Sequence, residues 1–203
     1  MLENWKKLPA YRLETRIDSL FGFAVPKLIE NIYGYQTKIV IPELPIRLAT
    51  IHPEHENTNF ANRSYKVDFY VRTENKKNLF IEFKSDSGSR RENQDDYLML
   101  SQKFGMKAII EGILKLYSAT SYRSKYKYLL DKLIGANIIN NDHEILIGNE
   151  NIQVIYAQPK SLKGDKNTKV LDFQTIADEL ISCYPDEKLM TCFASSLKNW
   201  AND

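Results

Sequence analysis

Two carboxylates that could bind one metal ion, and a lysine, are spaced so that all three could lie together on one face of a β-sheet. Asp68 lies in an apolar segment over residues 65–71, and Glu82 and Lys84 lie in a second over residues 79–84. Both segments are rich in β-branched and aromatic residues and flank a polar turn, so they predict a pair of β-strands. Side chains alternate along a strand, so Glu82 and Lys84 share one face, and Asp68 can face them across about 5 Å. Because such a cluster is costly without a cation, we expect a divalent-metal site suited to hydrolysis.

A surface ion pair is the alternative interpretation of the Glu-x-Lys triplet. The chain is rich in both residue types, and a second such triplet, Glu74 to Lys76, falls in the polar turn, where we expect it to be solvated. The triplet at Glu82 differs because apolar residues surround it in a predicted strand. In the alternative, that strand has one wet face, on which Glu82 and Lys84 pair at the surface.

The order of an acidic residue, a strand hairpin and Glu-x-Lys resembles the PD-(D/E)xK nuclease superfamily, which includes restriction endonucleases, resolvases and RecB-like nucleases. In that family the Asp and the Glu ligate Mg²⁺, and the Lys orients or activates the attacking water. The resemblance therefore implies that Asp68 and Glu82 are metal ligands, that the Phe83 carbonyl is a candidate third ligand, and that Lys84 is the catalytic lysine. Val67 stands where the family name has proline. The resemblance covers about residues 12–158.

Acidic residues near the start of the chain are further candidate ligands. Apolar residues at helical spacing predict a helix over residues 12–33, which is kinked or restarted at Pro26 and ends at the next glycine. The family usually has an acidic residue on this first helix that points at the metal. The candidates are Glu14, Asp18 and Glu30, and we expect Glu14 or Asp18, which share a helix face, to be the ligand.

A second helix is predicted directly after the lysine. Ser89 followed by Glu92 forms a capping box, so the helix should begin at Arg90. It should run to about Phe104, with Gly105 as its C-terminal stop.

The first turns of this helix carry candidate nucleic-acid contacts. Arg90 and Arg91 oppose the helix dipole at a typical cost of about 0.3–1 kcal/mol each, whereas a helix N-terminus with two arginines suits a phosphate. The alternative is that nearby acidic side chains simply neutralise both arginines. Many nucleases of the family have a glutamine on this helix that lines the site, which implies that role for Gln94; the alternative is an exposed helix residue.

The remaining segments predict an alternation of helices and strands. A strand over 35–42 precedes a loop to about residue 63 that contains Pro42, Pro45 and Pro53, and a core helix covers 106–119. The basic, tyrosine-rich segment 121–132 predicts a helix that either follows a nucleic-acid backbone and stacks bases or is only a solvated face. A strand over 152–158, a polar loop over 160–169 and helices over 173–182 and 186–200 complete the chain.

Composition limits the classes of protein that the chain can belong to. Its 203 residues fit one domain, and a net charge of +2 excludes a histone-like electrostatic binder. Cys183 and Cys192 match no zinc-site spacing and are expected to be buried thiols. No segment resembles a signal peptide, and no apolar run approaches the roughly 20 residues of a membrane span. We therefore expect a cytoplasmic protein without a membrane partner.

These patterns together predict a single α/β domain over residues 1–203, with a central mixed β-sheet flanked by helices and a restriction-endonuclease-like fold. The expected activity is hydrolysis of phosphodiester bonds with Mg²⁺ or Mn²⁺, and the expected substrate is DNA. The alternative is a catalytically inactive protein of the same fold that binds nucleic acid or another protein. The oligomeric state stays open.

Overall fold

The described part of the chain forms two compact units. The computed structural model of the protein describes residues 13–86, 92–162 and 169–201, and side chains from Ile17 onward. The first unit contains the described residues within Met1–Thr37, Ile81–Arg91 and Val154–Asp203. The second unit contains Lys38–Phe80 and Glu92–Gln153.

Five strands form one mixed sheet, and helices flank it, as the sequence predicts. In sheet order they are β1 (Thr37–Arg47), β2 (Ser64–Thr73), β3 (Asn78–Phe83), β4 (Ile152–Gln158) and β5 (Lys169–Asp172). A tight turn, in which the Thr73 N–H donates to the Lys77 carbonyl at 3.1 Å, makes β2 and β3 an antiparallel hairpin. Strands β4 and β5 are parallel, with Ile155 opposite Lys169.

Six α-helices and one 3₁₀ turn are described. The helices are α1 (Leu13–Tyr33), α2 (Leu48–Ile51), α3 (Glu92–Ala119), α4 (Arg123–Gly135), α5 (Phe173–Cys183) and α6 (Lys188–Trp200), and the 3₁₀ turn is Pro53–His55. Pro26 lies inside α1, which continues through it. Gly105, at φ 79°, interrupts α3 where the sequence predicts a helix stop. None of the described helices combines the length and the apolar character that crossing a membrane requires.

Three sequence predictions about local structure are wrong. The predicted loop after residue 42 is strand as far as Arg47, because β1 is an edge strand and an edge tolerates prolines, which lack an N–H to donate. Strand β5 begins at Lys169, where the sequence predicts the end of a polar loop. Cys192 is exposed and Cys183 only half-buried, so the pair is not a pair of buried thiols.

An aromatic chain forms much of the core of the first unit. The Phe83 ring lies 4.9 Å from that of Phe21 and 5.4 Å from that of Phe173, and the Trp200 ring lies 6.4 Å from Phe173. All four side chains are buried. This aromatic chain therefore packs α1, α5 and α6 against β3, the strand that carries Glu82.

Two buried arginines organise the second unit. The Arg72 guanidinium donates to Asn78 Oδ1 at 2.8 Å and to Glu150 Oε2 at 2.6 Å, which ties the β2–β3 hairpin to the segment before β4. The Arg47 guanidinium donates to Glu56 Oε2 at 2.6 Å and so holds the loop between β1 and β2. These contacts satisfy charges that would otherwise be costly to bury.

Candidate functional site

Glu82 and Lys84 form a buried ion pair at the end of β3. The Lys84 Nζ lies 3.1 Å from Glu82 Oε1, and the two side chains are 7% and 2% exposed. All six residues of β3 are buried, so the strand has no wet face. The alternative interpretation of the Glu82 triplet, an ion pair on the surface, is therefore wrong.

The backbone around this pair is held from both sides within the first unit. The Lys84 N–H donates to the Ala157 carbonyl of β4 at 2.8 Å. Phe83 lies between Glu82 and Lys84 in sequence, so its side chain is on the opposite face of the strand. There its ring packs against Phe21 of α1 and Phe173 of α5. Packing thus fixes the position of both Glu82 and Lys84.

The buried pair is not explained by stability. Removing a carboxylate and an ammonium from water costs several kcal/mol each, and apolar residues of similar volume often stabilise a protein as well or better. Buried charged residues occur at functional sites as well as in structural ion-pair networks. Glu82 and Lys84 are therefore candidates for a role in binding or chemistry.

The other predicted acidic ligands lie on two elements. Asp68 is half-buried in the middle of β2, in the second unit, and β2 is the neighbour of β3 in the sheet. Asp18 is half-buried on α1, in the first unit. Glu14 also belongs to α1, but its side chain lies outside the described residues.

The predicted nucleic-acid contacts are placed only in part. Arg90, Arg91 and the proposed capping box before Glu92 lie outside the described residues. Gln94 is half-buried on α3 and donates from Nε2 to the Tyr97 hydroxyl at 3.3 Å, so it is not a freely exposed helix residue. The Tyr97 hydroxyl in turn donates to the Lys66 carbonyl at 2.9 Å, which fixes this face of α3 against β2.

The candidate ligands predicted from the sequence are oxygen donors, the type that hard divalent cations prefer. Glu82 offers a carboxylate, Phe83 offers a backbone carbonyl, and Asp68 is a donor of the same type on β2. Within the described ranges, no three or more His, Cys, Asp and Glu side chains form a group that could hold a metal ion. Mg²⁺ keeps several waters and is usually bound by one or two carboxylates, so donors of this type suit Mg²⁺ better than zinc, which prefers nitrogen or sulfur ligands.

Two buried polar residues beside Lys84 were not singled out from the sequence. Ser85 follows the lysine and is 6% exposed, and Gln158, next to the carbonyl that accepts the Lys84 N–H, is 2% exposed. Gln158 Nε2 donates to the Lys160 carbonyl at 2.7 Å. The available signal was a polar residue at the last position of a predicted strand, where loops and strands often build a site.

No family model, no curated protein and no solved structure matches the chain. The functional assignment therefore depends on the residues of this chain and on the physical chemistry of their placement.

Proposed function

We propose that this protein is a nuclease that hydrolyses phosphodiester bonds with Mg²⁺ or Mn²⁺, and that DNA is its substrate. The observation that supports the proposal is the ion pair of Glu82 and Lys84, 3.1 Å apart and almost fully buried on β3. A lysine beside a carboxylate that can bind a metal suits phosphodiester hydrolysis, because both positive charges can stabilise the negative charge that develops on the phosphate as water attacks.

Each residue has a distinct role in the proposal. Glu82 and Asp68, with the Phe83 carbonyl, would hold the ion, and Glu14 or Asp18 is the further carboxylate. The bound ion would supply positive charge that stabilises the phosphate as its charge develops. Lys84 would donate a hydrogen bond that orients the attacking water or neutralises the developing anion.

The positioning of Lys84 comes from its surroundings in the first unit. Its N–H donates to the Ala157 carbonyl and its ammonium to Glu82, and these two contacts restrict the orientation in which the side chain would meet a substrate. A preorganised donor is worth more than a mobile one because it needs no reorganisation during the reaction. Arg90, Arg91 and Gln94 are proposed to contact the nucleic acid along α3 and the segment before it.

The test is a cleavage assay on single- and double-stranded DNA and on RNA, with Mg²⁺, with Mn²⁺ and with EDTA. We expect metal-dependent products from the wild type and a loss of at least about 100-fold in Glu82→Gln, Asp68→Asn and Lys84→Met. Glu111→Gln, which neutralises an exposed carboxylate on α3, is the matched control and should cleave normally.

Two results would count against the proposal. One is the absence of metal-dependent cleavage of any nucleic acid by the wild type, and the other is unchanged cleavage in Asp68→Asn. Nucleic-acid binding that ignores EDTA and yields no products would favour the alternative, an inactive protein of this fold that acts as a binding module.

A further inference from the structure

A groove of about 420 Å³ lies in the second unit, between the edge of the sheet and helix α4. Its volume falls within the range of ligand-binding pockets. Its apolar lining comes from strand β1 and from α4, and consists of Val40, Ile41, Pro42, Pro45 and Leu129. The groove is therefore able to bury a largely apolar group.

Two lysines give the groove a positive rim. Lys125 and Lys132 of α4 are exposed, and within the described part of the chain neither has a carboxylate at ion-pair distance. The third lysine of the lining, Lys66, is already paired with Glu43 at 2.6 Å. Hence Lys125 and Lys132 carry the charge that an anionic ligand would meet.

The rest of α4 adds to this positive charge at a local cost. The helix carries four cationic residues and a single acidic one, Asp131, and it begins at Arg123 with no acidic residue in its first turn. Positive charge at a helix N-terminus opposes the helix dipole. Together with the unpaired lysines of the groove, this cost is accounted for by an anionic partner.

Tyrosine rings accompany the lysines. Tyr128 is 66% exposed at the groove, and the Lys132 Nζ lies 5.2 Å from the centre of its ring. Tyr126 also lines the groove and is half-buried, and its burial raises the pKa of its hydroxyl. Exposed aromatic rings beside lysines are the surface on which proteins stack the bases of single-stranded nucleic acids.

A protein partner fits the groove less well. The exposed edge of a sheet usually recruits a peptide as an additional strand through main-chain hydrogen bonds. Pro42 and Pro45 lack the N–H groups that such pairing needs, and they lie in the stretch of β1 that lines the groove. Duplex DNA fits less well too, because its bases are already stacked on one another and are not free to stack on Tyr128.

We propose that this groove binds a segment of single-stranded nucleic acid, with a base stacked on Tyr128 and backbone phosphates at Lys125 and Lys132. The choice of ligand rests on the proposed nuclease function, and the inference narrows the substrate to an unpaired strand. The groove lies wholly in the second unit, and its binding can be measured without cleavage when EDTA removes the divalent metal.

The experiment measures binding of a fluorescent oligo(dT) of about 12 nucleotides by anisotropy, in EDTA, with the full chain. Tyr128→Ala should weaken binding by about 5-fold or more, whereas Tyr128→Phe, which keeps the ring, should bind like the wild type. The double variant Lys125→Gln, Lys132→Gln should weaken binding and make the slope of log K against log salt shallower by about 1.4, since each phosphate contact to a single strand contributes about 0.7.

A matched variant controls for overall charge. Lys103 and Lys107 are exposed on α3 in the same unit and lie away from the groove lining, so Lys103→Gln, Lys107→Gln removes the same charge. Its salt slope should stay that of the wild type. An equal change of slope in both double variants, unchanged binding in Tyr128→Ala, or tighter binding of the matching duplex would each overturn the inference.

The nuclease proposal and the groove proposal can fail separately. If the wild type cleaves nothing but the groove variants weaken oligo(dT) binding as expected, the groove proposal holds and the nuclease proposal fails. If Glu82→Gln abolishes cleavage while the groove variants bind and cleave like the wild type, the reverse is true. If both hold, the groove variants should raise KM and leave kcat unchanged.

Discussion

Two lysine–glutamate pairs in this protein allow a direct test of how burial sets the value of an ion pair. The pair Lys84–Glu82 is longer, at 3.1 Å, and its side chains are 7% and 2% exposed. The pair Lys66–Glu43 is shorter, at 2.6 Å, and its side chains are 59% and 54% exposed. Distance alone ranks the exposed pair as the stronger, whereas burial ranks the Glu82 pair first.

The expected magnitudes follow from what each glutamine substitution leaves behind. In Glu82→Gln, the buried Lys84 ammonium keeps a neutral acceptor and loses its charged one, so we expect unfolding free energy to fall by about 1.5–3 kcal/mol, the usual contribution of a hydrogen bond to a charged group. In Glu43→Gln, water can solvate the exposed Lys66 ammonium in place of the lost carboxylate, so we expect the unfolding free energy to fall by at most about 1 kcal/mol.

A third variant separates the buried charge from the lost contact. In Glu82→Gln, Lys84→Met, no ammonium remains to be buried, so this double variant should be more stable than Glu82→Gln alone. Unfolding in urea, followed by circular dichroism, measures all three variants, and equal m-values confirm that the same cooperative unfolding is compared.

Equal losses of unfolding free energy in Glu82→Gln and Glu43→Gln would contradict this prediction, because burial would then have no influence on the value of an ion pair. A double variant that is less stable than Glu82→Gln alone would refute it as well. That result would mean that the packing of the aliphatic stem of Lys84, rather than the pairing of its charge, stabilises the first unit at this position.

Two further predictions concern the second unit. Hydrogen bonds from Arg47 and from a lysine of α3 lower the pKa of Glu56 to about 2, so its contribution to stability is present above its ordinary value of 4.5 and is lost as the pH falls toward 2; Glu56→Gln should flatten the acid limb of a stability–pH curve measured by urea unfolding. A Cβ at Gly112 would lie 2.3 Å from Thr50 Oγ1, so Gly112→Ala should lower the unfolding free energy by about 1–3 kcal/mol, whereas Gly135→Ala, with nothing within 4 Å, should not lower it.

Local pattern was sufficient to predict most elements of the fold. The hairpin followed from two β-rich segments around a polar turn, and the break in α3 followed from Gly105. The course of β1 was not predictable in this way, because whether a proline interrupts a strand depends on whether that strand is at the edge of the sheet. Sheet order is a property of the whole fold and is absent from any short window.

The candidate site was predictable in its residue types and less so in its surroundings. Alternation placed Glu82 and Lys84 on one face of β3, and they are in contact. Their burial was not predictable, because a strand with a Glu-x-Lys triplet can equally have one solvent-exposed face, and whether that face is covered depends on how the whole chain folds. The same holds for Gln158, whose place beside Lys84 depends on the pairing of β4.

The groove, too, could be predicted only in part from the sequence. The sequence identified the basic, tyrosine-rich character of α4, but most of the apolar lining comes from a segment that the pattern divided between a strand and a loop. A binding surface assembled from one helix and two strands distant in sequence requires their packing to be known. The residue types on α4 alone did not separate a nucleic-acid surface from a solvated face.

The most direct test of the central proposal is a calorimetric titration of Mn²⁺ into the wild type and into Glu82→Gln, Asp68→Asn, with Glu111→Gln as the control. The nuclease proposal predicts that the wild type and the control bind the ion, that the double variant does not, and that DNA cleavage disappears with the binding. The contrary result is a wild type that binds no Mn²⁺, or a double variant that binds it as tightly as the wild type. Either outcome would mean that Glu82 and Asp68 do not hold a metal ion beside Lys84.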